Sequence, residues 1–255
     1  MRMLAKLIRD EWVKVLAFTI LMSAVSLVQV LFWPNIKKLV PLVLDQMPDF
    51  FRGMVGGIAT EGFVFYIITQ QLIKNGVIFG SGLAILLGAS AISRETEAGT
   101  MELLLSRPIS RARVLVEKFV FNAAILSLPV IISTMIAWPA AALVDEAIDP
   151  IALLVAAIYC YLVVLVILAF TFMVGVVFDE QMKVLSTSLA LCIVMMLLVI
   201  FEETMYFSIY GYIYPDVLRP IFVAGRVPYQ LALTMAMISA GFVGLSYLLF
   251  RKKTI

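Results

Sequence analysis

Long apolar runs, each closed at both ends by charged or polar residues, dominate the pattern of this chain. Asp, Glu, Lys and Arg are absent from 15–33, 75–93, 119–144, 150–178, 184–201 and 227–250. A helix rises about 1.5 Å per residue, so about 20 apolar residues cross a hydrocarbon core of about 30 Å. A charge at mid-membrane costs roughly 2.5–3.5 kcal/mol on insertion scales, which makes charge-free gaps the marks of spans. The pattern predicts six transmembrane helices at about 15–33, 75–93, 117–140, 151–178, 184–201 and 229–250. Two shorter charge-free runs, 62–73 and 204–215, are predicted to lie at the interface or to re-enter the membrane. The second carries Tyr206, Tyr210, Tyr212 and Tyr214, a composition suited to a headgroup boundary.

The first 15 residues follow a different period. Met1, Leu4, Ala5, Ile8, Trp12 and Val15 recur at helical spacing, with Arg2, Lys6, Arg9 and Asp10 opposite them. This predicts an amphipathic helix lying in the membrane interface ahead of the first span, against the alternative of a simple cytoplasmic extension of that span. The first span exits through Trp33, Pro34 and Asn35 and not through a small-residue cleavage site, so it is expected to be retained.

Composition turns this pattern into a class. Hydrophobic residues are 63% of the 255, charged residues 14%, and the mean hydropathy is +1.07. Soluble domains are about 45–50% apolar and about 25% charged, and one water-soluble core of this size could not bury such an excess. The expected fold is an all-α membrane protein with a single transmembrane domain over 1–255. The net charge of +2 gives no reason to expect nucleic acid. Histidine is absent, which removes the commonest zinc ligand and general base, and no metal site is expected. Cys160 and Cys192 each sit inside an apolar run and read as packing residues. Basic residues set the direction. With the N-terminus inside, 13 of the 19 Lys and Arg fall on the inner side and 6 on the outer, which places both termini in the cytoplasm of a multi-pass cell-membrane (inner, cytoplasmic membrane) protein.

Within the spans, Gly76, Gly80, Ala84 and Gly88 keep four-residue spacing, as do Ala236, Ala240 and Gly244. Such stripes let helix backbones approach closely, either within one subunit or between two. Pro129 and Pro139 predict a bend or an early exit in the third span. Gln70, Gln71, Lys74 and Asn75, with Glu202 and Glu203, are candidates for a polar entrance on the outer side, against the plainer alternative of snorkelling and surface placement.

The best-patterned inner segment joins spans two and three. Gly99 punctuates the end of the preceding helix, and Thr100 is an N-cap for a short helix over about 100–107 with Glu102 in its first turn. Leu103, Leu104 and Leu105 follow, Pro108 stops the helix, and Ser110 caps the next one. Three leucines exposed at the cytoplasmic face mark a partner site, unless they are buried against the membrane surface. The stretch Arg94-Glu-x-Glu-x-Gly-Thr-x-Glu-Leu-Leu-Leu-Ser-x-Pro-x-Ser-Arg111 resembles the intracellular loop of type-2 permease subunits of ATP-binding-cassette transporters, and the resemblance extends over the whole chain. It implies that the loop contains a coupling helix docking on an ATPase subunit. The docking residues would be Glu95, Glu97, Gly99, Thr100, Glu102, Leu103, Leu104 and Arg107. It implies as well a second permease subunit, and ATP and Mg bound on the partner ATPase with no cofactor on this chain.

No G-x-x-x-x-G-K-[ST] phosphate loop occurs, and no segment outside the spans is long enough for a nucleotide-binding domain. The expected function is a permease subunit, an exporter, that forms the path and takes its energy from a separate chain through rigid-body motion of spans two and three. The alternative is an energy-transducing anchor that passes ATPase motion to an outer partner, with loop 34–62 as the contact. An intramembrane enzyme is disfavoured, because no acidic pair or metal-ligand cluster lies at mid-span. Apolar spans with few charges point to a hydrophobic or amphipathic cargo.

Overall fold

A computed structural model describes residues 2–46, 56–97, 99, 110–201 and 203–252, without the side chains of 2–10, 45, 94, 95 and 111. Six helices are long and apolar enough to cross a membrane: Glu11–Val43, Phe63–Ala91, Ala112–Val144, Pro150–Val177, Gln181–Leu198 and Tyr229–Lys252. No strand occurs among the described residues. Successive spans run in opposite directions, so residues 2–10, 92–97, 110, 178–180 and 252 lie toward one face of the bundle, called here the termini face, and residues 44–46, 56–62, 145–149 and 225–228 toward the far face.

The fourth span is the hub. Its mean apolarity is the highest of the six, and it packs against the second, third, fifth and sixth spans. Asp149 starts it by accepting a hydrogen bond from the Ile151 amide at 2.9 Å, with Pro150 in the first helical position. The second span is its main inner neighbour. In these two spans 67% and 61% of the most apolar window is buried, against 17–22% in the first, fifth and sixth, whose apolar sides face outward.

The two small-residue stripes have different fates. Gly76, Gly80, Ala84 and Gly88 are all buried inside the subunit. A Cβ on Gly80 would meet Val130 and Val164, both at 3.3 Å, and one on Gly88 would lie 2.8 Å from Thr171 Cβ. Ala236, Ala240 and Gly244 face outward, and nothing lies within 4 Å of a Cβ built on Gly244. Cys160 and Cys192 are buried and free.

Several boundaries differ from expectation. The run 62–73 belongs to the second span, which is one helix from Phe63 to Ala91. Lys74 split it in the sequence, but the Lys74 ammonium is exposed and donates to Gln70 Oε1 at 3.0 Å, so a snorkelling charge does not end the helix. Residues Ile67–Phe79 of this span are wound as a π-helix, a wide form uncommon beyond single turns. The first helix is continuous from Arg2 to Val43, through Pro34 and Pro41. In the third span the helix passes through Pro129 and breaks at Ile136. Pro139 lacks the N–H that would close on the Met135 carbonyl, which places the break there.

The run 204–215 folds back into the bundle. Short 3-10 turns at Met205–Phe207 and Ile209–Ile213 precede a helix, Pro215–Ala224. Tyr210 Oη donates to Ser81 Oγ at 3.2 Å, and Ser81 lies ten residues from the Ala91 end of the second span. Tyr159 Oη donates to the Tyr212 carbonyl at 2.8 Å, and Ser208 Oγ to the Met195 carbonyl at 2.6 Å. Tyr159 of the fourth span thus satisfies a carbonyl of backbone that has left the helix, as apolar surroundings demand.

Candidate functional site

The base of the 92–110 loop gathers the charged side chains that the termini face buries. Ala91 ends the second span, Ile92 leaves helical geometry at φ −122°, and Ser93–Glu97 forms one further turn. Ser93 Oγ donates to the Ala89 carbonyl across the break. Gly99 then adopts φ +64°, with its amide bonded to the Thr96 carbonyl at 3.0 Å, so a glycine ends this helix as expected. At the other stem, Ser110 is the N-cap of Arg111–Met135 and accepts from the Arg113 amide at 3.2 Å.

Three neighbouring spans are fastened to this base. Glu11, at 5% exposure, accepts from Ser90 Oγ at 3.1 Å and pairs with Lys14 at 2.7 Å, and Lys14 donates to Ser90 Oγ at 3.2 Å. Lys118, one turn and a half into the third span and 1% exposed, donates to the Ala91 carbonyl at 2.6 Å. An ammonium beside the end of the second helix also meets the negative end of its dipole. Glu97 accepts from the backbone amide of Gln181, the first residue of the fifth span, at 3.2 Å.

Of the eight docking candidates, Glu97 and Gly99 are therefore placed, and both are exposed at the loop's first stem. Thr100, Glu102, Leu103, Leu104 and Arg107 lie outside the described residues, as does the side chain of Glu95. Sequence reasoning passed over Glu11, Lys14, Ser90 and Lys118. For Glu11, Lys14 and Lys118 a signal was present: charges at the very edges of the apolar runs of the first and third spans, where an unpaired ion is expensive.

The polar group of the second span is divided by the structure. Gln70 and Lys74 bond to each other on the outward side. Gln71 and Asn75 are fully buried. Gln71 Nε2 donates to the Ser133 carbonyl of the third span at 3.0 Å, and Asn75 Nδ2 donates to the Met22 carbonyl of the first at 2.9 Å and to Gln71 Oε1 at 3.3 Å. Asn75 lies twelve residues into a helix that begins at Phe63, so this pair braces the three helices at mid-bundle. Among the described residues no hydrogen bond or ion pair joins Glu203, which is exposed, to that group, and Glu202 lies outside them.

At the far face, Glu146 accepts from Trp33 Nε1 and from Lys37 Nζ, both at 2.8 Å. Burial pushes the Glu146 carboxyl up, but the Lys37 and Trp33 hydrogen bonds and the Lys37 charge outweigh it and hold the group below the ordinary value. Beside it opens a cavity of about 350 Å³, walled by Trp33, Phe63, Glu61 and Glu146.

No curated protein matches the chain. The family model described as ABC-2 family transporter protein matches residues 4–254. Six apolar helices, a loop between the second and third stapled to its neighbours, and a match along almost the full length agree: this chain belongs to the ABC-2 family of transporter proteins, the multi-pass permease components of ATP-binding-cassette systems.

Proposed function

We propose that the chain is the permease subunit of an ATP-driven exporter, paired with a second permease subunit and powered by a separate ATPase that docks on the 92–110 loop. The termini face is then the cytoplasmic face, in keeping with the basic residues. The observation that carries this reading is the way the loop's base is held. Lys118 ties the span that leaves the loop to the Ala91 carbonyl of the span that enters it. A loop with fastened stems passes a push to the helices; one on slack stems absorbs it. Few charges line the spans, which favours a hydrophobic or amphipathic cargo.

The test is substitution in the leucine run. Burying Leu103 and Leu104 in an ATPase cleft contributes about 1.5–3 kcal/mol each, less the cost of association and ordering. Even about 2 kcal/mol changes affinity about thirtyfold. Leu103→Asp or Leu104→Asp should leave the permease folded in the membrane while the ATPase no longer co-purifies. Well-folded variants that retain the ATPase at parental stoichiometry would remove the loop from the docking role.

A further inference from the structure

Span 1 packs along the third span and leaves the rest of its surface open. Its most apolar window is only 22% buried, and most of its surface faces outward. Between helices in lipid there is no hydrophobic drive, so apolar flank contacts hold axial position weakly and directional polar ties set the register. Span 1 has such ties to the second span at three depths. The Gln29 carbonyl accepts from Tyr66 Oη at 2.8 Å, the Met22 carbonyl accepts from Asn75 Nδ2 at 2.9 Å, and Glu11 with Lys14 brackets Ser90.

The last of these sits where a push would enter. Ser90 is two residues ahead of the Ile92 break, in the last turn before the loop. Its hydroxyl, whose one proton is shared between Glu11 Oε1 at 3.1 Å and the Leu86 and Leu87 carbonyls of its own helix at 2.9 and 3.2 Å, accepts from Lys14 Nζ, while the two charges pair with each other at 2.7 Å. Glu11 is almost wholly buried, so removing its partner would leave an uncompensated buried charge.

We propose that the Glu11–Lys14–Ser90 triad couples span 1 to the loop, so that span 1 is driven in the transport cycle together with spans two and three. This rests on the loop being the ATPase docking site. Glu11, Lys14 and Ser90 act as positioning residues: they touch neither cargo nor nucleotide, and they fix span 1 to the turn that the loop displaces. At the far end the motion reaches Trp33 and Lys37, which hold Glu146.

The chemistry of Ser90 supplies the test. A hydroxyl both donates and accepts, so exchanging the charges, Glu11→Lys with Lys14→Glu, preserves the network, whereas Glu11→Lys alone sets two ammonium groups beside one hydroxyl. The permease–ATPase complex is reconstituted in lipid nanodiscs, with Lys38→Cys as reporter on the exposed far end of the same helix. Cys160 and Cys192 are buried and give a low background. Maleimide labelling of the reporter is timed with and without ATP and vanadate. Coupling between sites commonly spans about 5–150-fold, so the parent and the charge-swapped pair should change labelling rate by about fivefold or more on trapping, and Glu11→Lys by less than about twofold. If Glu11→Lys does not assemble, Ser90→Ala replaces it, with a response at least about twofold below the parent.

A parental response in Glu11→Lys or Ser90→Ala, failure of the swap to restore it, or a parent that shows none overturns the proposal. Docking is scored separately, by ATPase co-purification with each variant and with Leu103→Asp. A triad variant that keeps its ATPase and loses the response supports the triad. Leu103→Asp retaining its ATPase sinks the docking site, whatever the triad does.

Discussion

The sharpest consequence of the packing lies at Gly88, where the second and fourth spans cross. A Cβ there would stand 2.8 Å from Thr171 Cβ, 2.9 Å from its Cγ2 and 3.2 Å from the Phe172 backbone nitrogen. Thr171 is β-branched and stiff, and the amide belongs to the hub helix, so the two helices must separate. Across the same seam, a Cβ on Gly175 would lie 3.4 Å from the Gly88 carbonyl. Overpacking of this kind costs about 1–3 kcal/mol, and replacing glycine by alanine in a helix returns roughly 0.5–1 kcal/mol. Gly88→Ala should therefore destabilise by about 1 kcal/mol, and by no more than about 2.5 kcal/mol, with a fall of about 2–4 °C in Tm per kcal/mol for a chain of this size. Gly244→Ala is the control, because nothing lies within 4 Å of its Cβ. It should gain the helix term alone and melt at or above the parent temperature. Thermal unfolding of both purified variants in one detergent, followed by size-exclusion recovery, reads the difference. Gly88→Ala melting no lower than Gly244→Ala would falsify the close crossing.

Further outcomes follow from the polar ties. Asn75→Ala removes the donor to the Met22 carbonyl and should cost about 0.6–1.7 kcal/mol in the same melting assay, as interhelical hydrogen bonds in membranes do, while Gln70→Ala should change little. The far-face tie is acid-sensitive. Because the folded Glu146 pKa lies below the ordinary value of 4.5, its contribution is complete above 4.5 and disappears as pH falls through the lowered pKa. Trp33 fluorescence, read after Trp12→Phe and Trp138→Phe, should titrate with a midpoint under 4.5, and a midpoint above it refutes the Lys37–Trp33 clamp. The basic asymmetry predicts orientation: reporter fusions after Ile255 and within 100–110 should be cytoplasmic and those in 145–149 external, and an external C-terminus overturns it.

The sequence by itself determined the class, the number of spans and the two ends of the loop. Charge-free length is a local property, priced by the bilayer residue by residue, so six crossings were readable without any partner in view. Glycine at 99 and serine at 110 likewise act through their own backbone and side chain, and both appear in their expected roles. Tertiary structure decided what depends on neighbours. Lys74 interrupted the second span on paper because its charge was counted at the Cα, whereas the side chain carries that charge out to the surface. Gln71 and Asn75 beside it were indistinguishable from Gln70 in the sequence. Only the positions of Met22 and Ser133 on the adjoining helices make those two a buried brace and leave Gln70 facing outward. The two small-residue stripes read alike, yet Gly88 is pressed against Thr171 and a Cβ on Gly244 would point into open space. The Glu11–Lys14–Ser90 contact joins residues 79 apart in the chain. Periodicity reports which residues share a helix face, but which helix that face meets depends on how all six pack, and that is where the fasteners of the loop are set.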